Sequence, residues 1–187
     1  MIQGLILAAG KSTRFGNDKL VYKLDNGRPM VLQSALNMRE SITETLVLLS
    51  RDRETICGEC RAHNIATVIS ENSHLGMGHT IADGIKATSN ASGWVIALGD
   101  MPFLNPETLL RVKQTIENGA TLVVPIYKGK RGHPVGFSSA FKSELLSLQG
   151  DTGARELLRK HKNKITYLAC DDSGVHRDID VPEDLLT

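Results

Sequence analysis

The chain has 187 residues, 22 Lys and Arg against 21 Asp and Glu, a formal charge of +1, and 41% hydrophobic residues. That length supports one domain, 1–187, with a core of its own, and the composition excludes intrinsic disorder and low complexity. Near neutrality and only 4% aromatic residues exclude a nucleic-acid coat, which needs a basic excess and stacking platforms. They leave room for a small anionic ligand held by local cations and backbone donors.

The first ten residues lack a basic n-region, and neither they nor any later stretch approach the roughly 18 apolar residues of a membrane span. Three cysteines, Cys57, Cys60 and Cys170, make an odd count that argues against a secreted disulfide framework. The expected setting is cytoplasmic, with no membrane and no nucleic-acid partner.

Short β-branched runs alternate with helix-length amphipathic segments, the pattern of an α/β fold. In chain order the predicted elements are strand Ile2–Leu7, helix Met30–Glu40, strand Thr45–Ser50, helix Arg53–His63 and strand Ile65–Ile69. Helix Met77–Ser89, strand Gly93–Leu98, helix Pro106–Asn118 and strand Thr121–Pro125 follow. The last are strand Pro134–Phe137, helices Ser139–Ser147 and Gly153–His161, strand Ile165–Leu168 and a short strand Val175–Ile179. The first, second and fourth strands are nearly continuous apolar runs, as in parallel strands covered on both faces. Asn105-Pro106 reads as an N-cap followed by Pro at the first helical position. Cys57-Gly58-Glu59-Cys60 falls inside a helix rather than at its start, so it reads as incidental cysteines of a surface helix and not as a redox or zinc motif.

In a mostly parallel sheet, ligands bind outside the carboxyl ends of the strands. The first strand ends in Leu7-Ala8-Ala9-Gly10-Lys11-Ser12-Thr13-Arg14-Phe15-Gly16-Asn17-Asp18-Lys19-Leu20. Small residues at 8–10 and Gly16 allow close backbone approach and an anion nest, while Arg14 and Lys19 add two cations, chemistry suited to a di- or triphosphate. The spacing of Gly4 and Gly10 misses a Walker A loop by one residue, and the dinucleotide fingerprint is absent. After the fourth strand comes Gly99-Asp100-Met101-Pro102, a carboxylate at a strand end placed to ligate a divalent metal; a turn or cap role is the alternative. Asp178 and Asp180, two apart near the C-terminus, point the same way from an extended strand and offer a second acidic strand end.

Leu7-Ala8-Ala9-Gly10-x-Ser12-x-Arg14-Phe15-Gly16-x-x-Lys19-Leu20 resembles the LAAGxSxRMGxxKL loop of the MobA-like nucleotidyltransferases, with Phe15 where Met is usual. Gly99-Asp100-x-Pro102 resembles that family's GDxP metal motif. Asp178-Ile179-Asp180-Val181-Pro182-Glu183-Asp184-Leu185 resembles its DIDTPEDL, with Val181 for Thr. Asn72, Gly76, Met77, Thr80 and Gly84 partly match NPxxxxGMxSSLxxG, with Ser73 for Pro and His79-Thr80 for Ser-Ser. Arg131-Gly132-His133-Pro134-Val135-Gly136-Phe137 and Gly150-Asp151-Thr152-Gly153-Ala154-Arg155 resemble its GHPVLF and GDxGAR segments.

The resemblance extends over essentially the whole chain and is closest to the molybdenum-cofactor cytidylyltransferase branch. It implies a single-domain Rossmann-like nucleotidyltransferase fold, a mostly parallel twisted sheet with helices on both faces. It implies that Leu7, Ala8, Ala9, Gly10, Ser12, Arg14, Lys19, Asn72, Gly76, Met77, Gly99 and Asp100 bind CTP, with Arg14, Lys19 and Asp100 catalytic. Mg²⁺ would be held by Asp100 and Asp180, with Asp178 the alternative. His133, Pro134, Asp151, Gly153 and Arg155 would hold molybdopterin and its phosphate, with a recipient molybdoenzyme as a further partner. LAAG, rather than the LAGG of guanylyltransferase relatives, implies cytosine. The alternatives are a guanylyltransferase, a sugar- or polyol-phosphate nucleotidyltransferase, and a non-catalytic molybdenum-cofactor carrier or insertion chaperone.

Overall fold

The computed structural model describes residues 1–10, 18–151, 153–181 and 184. Strands β1 (Ile2–Ala8), β2 (Thr45–Leu49), β3 (Ala66–Ile69) and β4 (Gly93–Leu98) precede β5 (Leu122–Tyr127), β6 (Lys130–Arg131), β7 (Val135–Ser138) and β8 (Ile165–Ala169). They form one sheet in the order β3-β2-β1-β4-β7-β5-β6, with β8 alongside β5. The pairs β1–β2, β1–β4, β2–β3 and β5–β8 are parallel, whereas β7 runs antiparallel to both β4 and β5. The helices are α1 (Met30–Ser41), α2 (Glu54–Ala62), α3 (Met77–Ala87), α4 (Pro106–Glu117), α5 (Lys142–Leu146) and α6 (Arg155–Lys160).

Period-two alternation assigns each central strand to two cores. Ile2, Ile6 and Ala8 of β1, Val47 and Leu49 of β2, and Val95 and Ala97 of β4 join one apolar cluster with α1, α2 and α4. Leu5 and Leu7, Leu46 and Leu48, and Trp94 and Ile96 join the other, with α3, α5 and α6. Double coverage is why these strands read as unbroken apolar runs. Each large side chain fully buried here contributes roughly 2 kcal/mol.

The expected N-cap at Asn105 is present: its side-chain oxygen accepts the Glu107 N–H at 2.9 Å, with Pro106 opening α4. Three expectations are corrected. Val175–Ile179 is not a strand; Ser173–His176 forms a 3-10 turn instead. Its neighbours are single backbone bonds, from His133 N–H to Val175 O (2.9 Å) and from Ile179 N–H to Asp100 O (3.0 Å), so no ladder forms. The expected helix Ser139–Ser147 divides into a 3-10 turn, Ser139–Phe141, and α5. Finally, Cys60 is fully buried in the core rather than on a helix surface, and burial pushes its thiol up to about 11. A thiol so shifted is a poor nucleophile, consistent with the non-redox reading of that pair.

Strand order turns at β1, with β2 and β3 on one side and β4 on the other. The crevice therefore opens beyond the carboxyl ends of β1 and β4, where Ala8-Ala9-Gly10 and Gly99-Asp100 lie.

Candidate active site

A cleft of about 1050 Å³ covers that crevice, lined by Leu7, Ala8, Ala9, Gly10, Lys19 and Asp100 among others. Lys19 is brought in by a 3-10 turn, Lys19–Val21, whose N-cap is Asp18; the Asp18 carboxylate accepts the Leu20 N–H at 3.2 Å. The Lys19 ammonium lies 2.7 Å from Asp100 Oδ2 and 2.8 Å from Asp180 Oδ1. Burial pulls the Lys19 pKa down, but hydrogen bonds to Asp100 and Asp180 and their charges prevail and raise it, so the ammonium is retained.

Asp100 is the more deeply buried of the two acids; its side chain is 16% exposed against 45% for Asp180. Burial, helped by the charge of Asp178, raises its pKa against the pull of Lys19. Its second oxygen, Oδ1, is buried and has no hydrogen-bond partner among the described residues. Asp180 is fixed from behind, because Asp184 accepts the Asp180 and Val181 N–H groups at 2.9 and 3.0 Å.

This arrangement fits a hard divalent cation. An unpartnered buried carboxylate oxygen stands beside a second carboxylate, both oxygen donors of the kind Mg²⁺ and Mn²⁺ take. Among the described residues no three His, Cys, Asp or Glu side chains gather into a metal cage. Two carboxylates leave most of an octahedral shell to phosphate oxygens and water.

Close backbone approach builds the far wall. Gly76 has φ +121°, and a Cβ there would lie 2.3 Å from the Gly150 carbonyl carbon; one on Gly78 would lie 2.7 Å from Gln149 O. The Gly78 N–H donates to Gly150 O at 2.8 Å, so the start of α3 is already partly satisfied by protein and is not an open anion site. What the glycines accomplish is to bring the Gln149–Asp151 segment against the start of α3, at the boundary with a second cleft.

That second cleft, about 1020 Å³, is lined by His133, Asp151 and Arg155 together with Arg131, Arg159 and Lys162 over a floor of Ile81, Ile96 and Val124. Leu7, Met77, Leu98 and Asp151 wall both clefts. His133 is half-buried, and the desolvation lowers its pKa despite the charges of Asp100 and Asp178; its Nδ1 is enclosed and has no partner among the described residues.

Most of the sequence-derived residues thus meet around one crevice. Leu7, Ala8, Ala9, Gly10, Lys19, Gly76, Met77 and Asp100 line the first cleft, and His133 and Arg155 the second. Asp151 lines both, and Asp151 does not cap α6, whose N-cap is Ala154. Pro134, Gly153, Asn72 and Gly99 line neither. Gly99 instead packs against the end of β1, its N–H donating to Leu7 O at 2.9 Å. Ser12 and Arg14 lie outside the described residues. Asp178 and Asp180 flank buried Ile179, on an irregular segment rather than a strand end. Sequence reasoning missed Asp18 and Arg53, both of which line the first cleft, as does Thr80, which it matched to a family motif without a site role.

A family model described as MobA-like NTP transferase domain matches residues 4–165. Nicotine blue oxidoreductase of Paenarthrobacter nicotinovorans is 25% identical over 193 residues, covering 98% of this chain and 94% of that protein. A probable molybdenum cofactor guanylyltransferase of Thermococcus gammatolerans is 31% identical over 147 residues, 76% of this chain and 72% of that protein. Among solved structures, Rv0371c from Mycobacterium tuberculosis H37Rv superposes with a TM-score of 0.83 at 26% identity, covering 98% of this chain and 94% of that one. A manganese complex of the same mycobacterial protein superposes with a TM-score of 0.80 at 24% identity, covering 98% of this chain and 95% of that one.

Proposed function

The chain belongs to the MobA-like NTP transferase family, and on that premise we propose that 1–187 acts as one cytoplasmic cytidylyltransferase domain, moving the CMP moiety of CTP onto the phosphate of molybdopterin. The observation that carries the reading is the Lys19 ammonium held 2.7 and 2.8 Å from the Asp100 and Asp180 carboxylates at the crevice where β1 and β4 end. Cation and paired carboxylates together suit a triphosphate with its accompanying metal.

An acceptor phosphate oxygen forms the new bond to the α-phosphorus of CTP. The bond from that phosphorus to the bridging oxygen breaks, and its electron pair leaves with diphosphate. Lys19, with Arg14, neutralises the charge that gathers on the leaving diphosphate. Asp100 and Asp180 would hold Mg²⁺, which when bound would offset charge at the α-phosphate; the manganese complex of the mycobacterial neighbour supports a divalent cation as such. The backbone of Ala8, Ala9 and Gly10 seats the nucleotide, and His133, Asp151 and Arg155 orient the acceptor in the adjoining cleft. An acceptor phosphate needs no general base at neutral pH, so catalysis is positioning and charge neutralisation.

Cytosine as the base rests on the Leu7-Ala8-Ala9-Gly10 sequence. Guanylyl transfer is the second reading, favoured by the 31% identical Thermococcus relative. Diphosphate release with CTP, GTP, ATP and UTP in the presence of molybdopterin separates them: CTP preference is expected, and GTP preference overturns the cytidylyl reading. Turnover absent with every nucleotide, alongside retained molybdopterin binding, marks a cofactor carrier instead. The same samples mixed with a reduced nicotinamide dinucleotide read the oxidoreductase chemistry named for the Paenarthrobacter relative, and no oxidation is expected.

A further inference from the structure

Arg53 is a nearly buried arginine, 7% exposed, in a position with no structural helix-capping bond of its own. All three nitrogens of its guanidinium donate inward. Nη1 donates to Asp18 Oδ2, Nη2 to the Gly10 carbonyl at 2.8 Å, and Nε to Ser50 Oγ at 3.3 Å. Gly10 closes the first half of the phosphate-loop sequence and Asp18 directly precedes Lys19. One rigid, planar fork therefore ties the end of β1 to the residue that starts the Lys19 turn.

Among the described residues the Asp18 carboxylate is used twice. One oxygen takes the Arg53 bond; the other accepts the Leu20 N–H and so caps the turn that aims Lys19. Ser50, Asp52 and Arg53 sit together in the short turn between β2 and α2, where Ser50 Oγ donates to Asp52 Oδ1 at 2.6 Å, so the anchor is braced within its own turn. We propose that Arg53 and Asp18 form a clasp that positions Lys19 against Asp100 and Asp180, making Arg53 a positioning residue for nucleotidyl transfer. The clasp rests on the transfer reading above only for its turnover readout. A guanidinium with each of its three nitrogens engaged by protein acts on the nucleotide through Lys19, not by touching phosphate itself.

Two consequences distinguish this from a purely structural role. Neutralising Asp18 must imitate loss of Arg53, although Asp18 is more than a third exposed and tolerates solvent. The two changes must also fail to add, because either one opens the same clasp.

The test compares wild type with Arg53→Met, Asp18→Asn, the double variant and Arg53→Lys, reading kcat and KM for the preferred nucleotide with the thermal midpoint of each. Arg53→Met and Asp18→Asn are each expected to lower kcat/KM by about tenfold to a hundredfold, mainly through kcat. The double variant should be no worse than Arg53→Met, and Arg53→Lys, which keeps charge but cannot bridge both partners, should fall between. Wild-type kcat/KM in Arg53→Met overturns the clasp, as do strictly additive effects or a silent Asp18→Asn. Calorimetric binding of inorganic tripolyphosphate with Mg²⁺ reads the clasp without turnover, and about tenfold weaker binding is expected in Arg53→Met. If wild type binds tripolyphosphate and transfers no nucleotide, the transfer reading fails while weaker binding by Arg53→Met still supports the clasp. Equal binding by both overturns the clasp, and no binding by wild type overturns both.

Discussion

The Lys19 ammonium lies 2.7 Å from the Asp100 carboxylate although their Cα positions are separated by the whole of β2, β3 and β4 in sequence. It also reaches Asp180, so one cation faces two acids drawn from distant parts of the chain. In the free protein Lys19 meets the negative charge that a divalent metal would otherwise meet. On the proposed function, a metal–triphosphate would exchange these partners: the carboxylates would take the metal, and Lys19 would take phosphate.

Asp100→Asn is expected to lower diphosphate release by about a hundredfold or more, because the amide is a weak ligand for a hard cation. The thermal midpoint should not fall. Burial opposes the charged form of Asp100, which removal of the charge relieves, and Asp180 still partners Lys19. Paired assays of diphosphate release and thermal melting check both halves; a collapse in stability would recast Asp100 as a structural anchor.

Asp180 and Asp178 separate by the same approach. Asp180 contacts Lys19 directly, whereas Asp178 acts on Asp100 and His133 through its charge. Asp180→Asn should reduce turnover by about tenfold to a hundredfold and weaken Mn²⁺ binding in the presence of nucleotide, with a smaller effect for Asp178→Asn. A titration of Mn²⁺ by electron paramagnetic resonance reads this directly, and the reverse order would reassign the ligand.

Gly76→Ala places a Cβ at φ +121° and within 2.3 Å of the Gly150 carbonyl carbon. The two nearest atoms are both backbone of Gly150, so the loss of stability is expected to be about 2 kcal/mol or more. Gly119→Ala is the control: its φ is +102°, but nothing lies within 4 Å, so only backbone strain of about 1 kcal/mol applies. Urea unfolding of both variants gives the comparison.

Glu144 supplies a pH test away from the crevice. Hydrogen bonds from Lys160 (2.7 Å) and with His161 (2.9 Å) hold its carboxyl below the ordinary 4.5. A depressed folded-state pKa contributes stability that is present above the unfolded value and lost as pH falls through the folded one. The wild type should therefore exceed Glu144→Gln in thermal midpoint near neutrality by a small margin, as befits an exposed pair. The margin should close as the solution is acidified below about pH 4, and melting curves across that range check it.

The apolar runs of β1, β2 and β4 and the Asn105-Pro106 start of α4 were legible in the sequence because local pattern and burial agree there. Lys19 and Asp100 were legible because small residues and a strand end surround them. Arg53 was not: within Arg51-Asp52-Arg53-Glu54 it has the look of one more solvated charge, and only the return of the chain at Asp18 buries it. Val175–Ile179 misled for the opposite reason. Its two ends, Val175 and Ile179, are both buried, but its backbone partners are single groups on separate elements. Periodicity reports burial, and pairing is a separate tertiary fact.

Leu7, Met77, Leu98 and Asp151 each present a surface to both clefts. With the clefts assigned as proposed, donor and acceptor preference would not be independent traits in this molecule. A substitution at any of the four that reshapes one chamber reshapes its neighbour, so a lineage changing its acceptor through this partition alters its nucleotide seat in the same mutation. Residues touching a single chamber, such as Thr80 on one side and Arg159 on the other, are where one preference can drift while the other is kept.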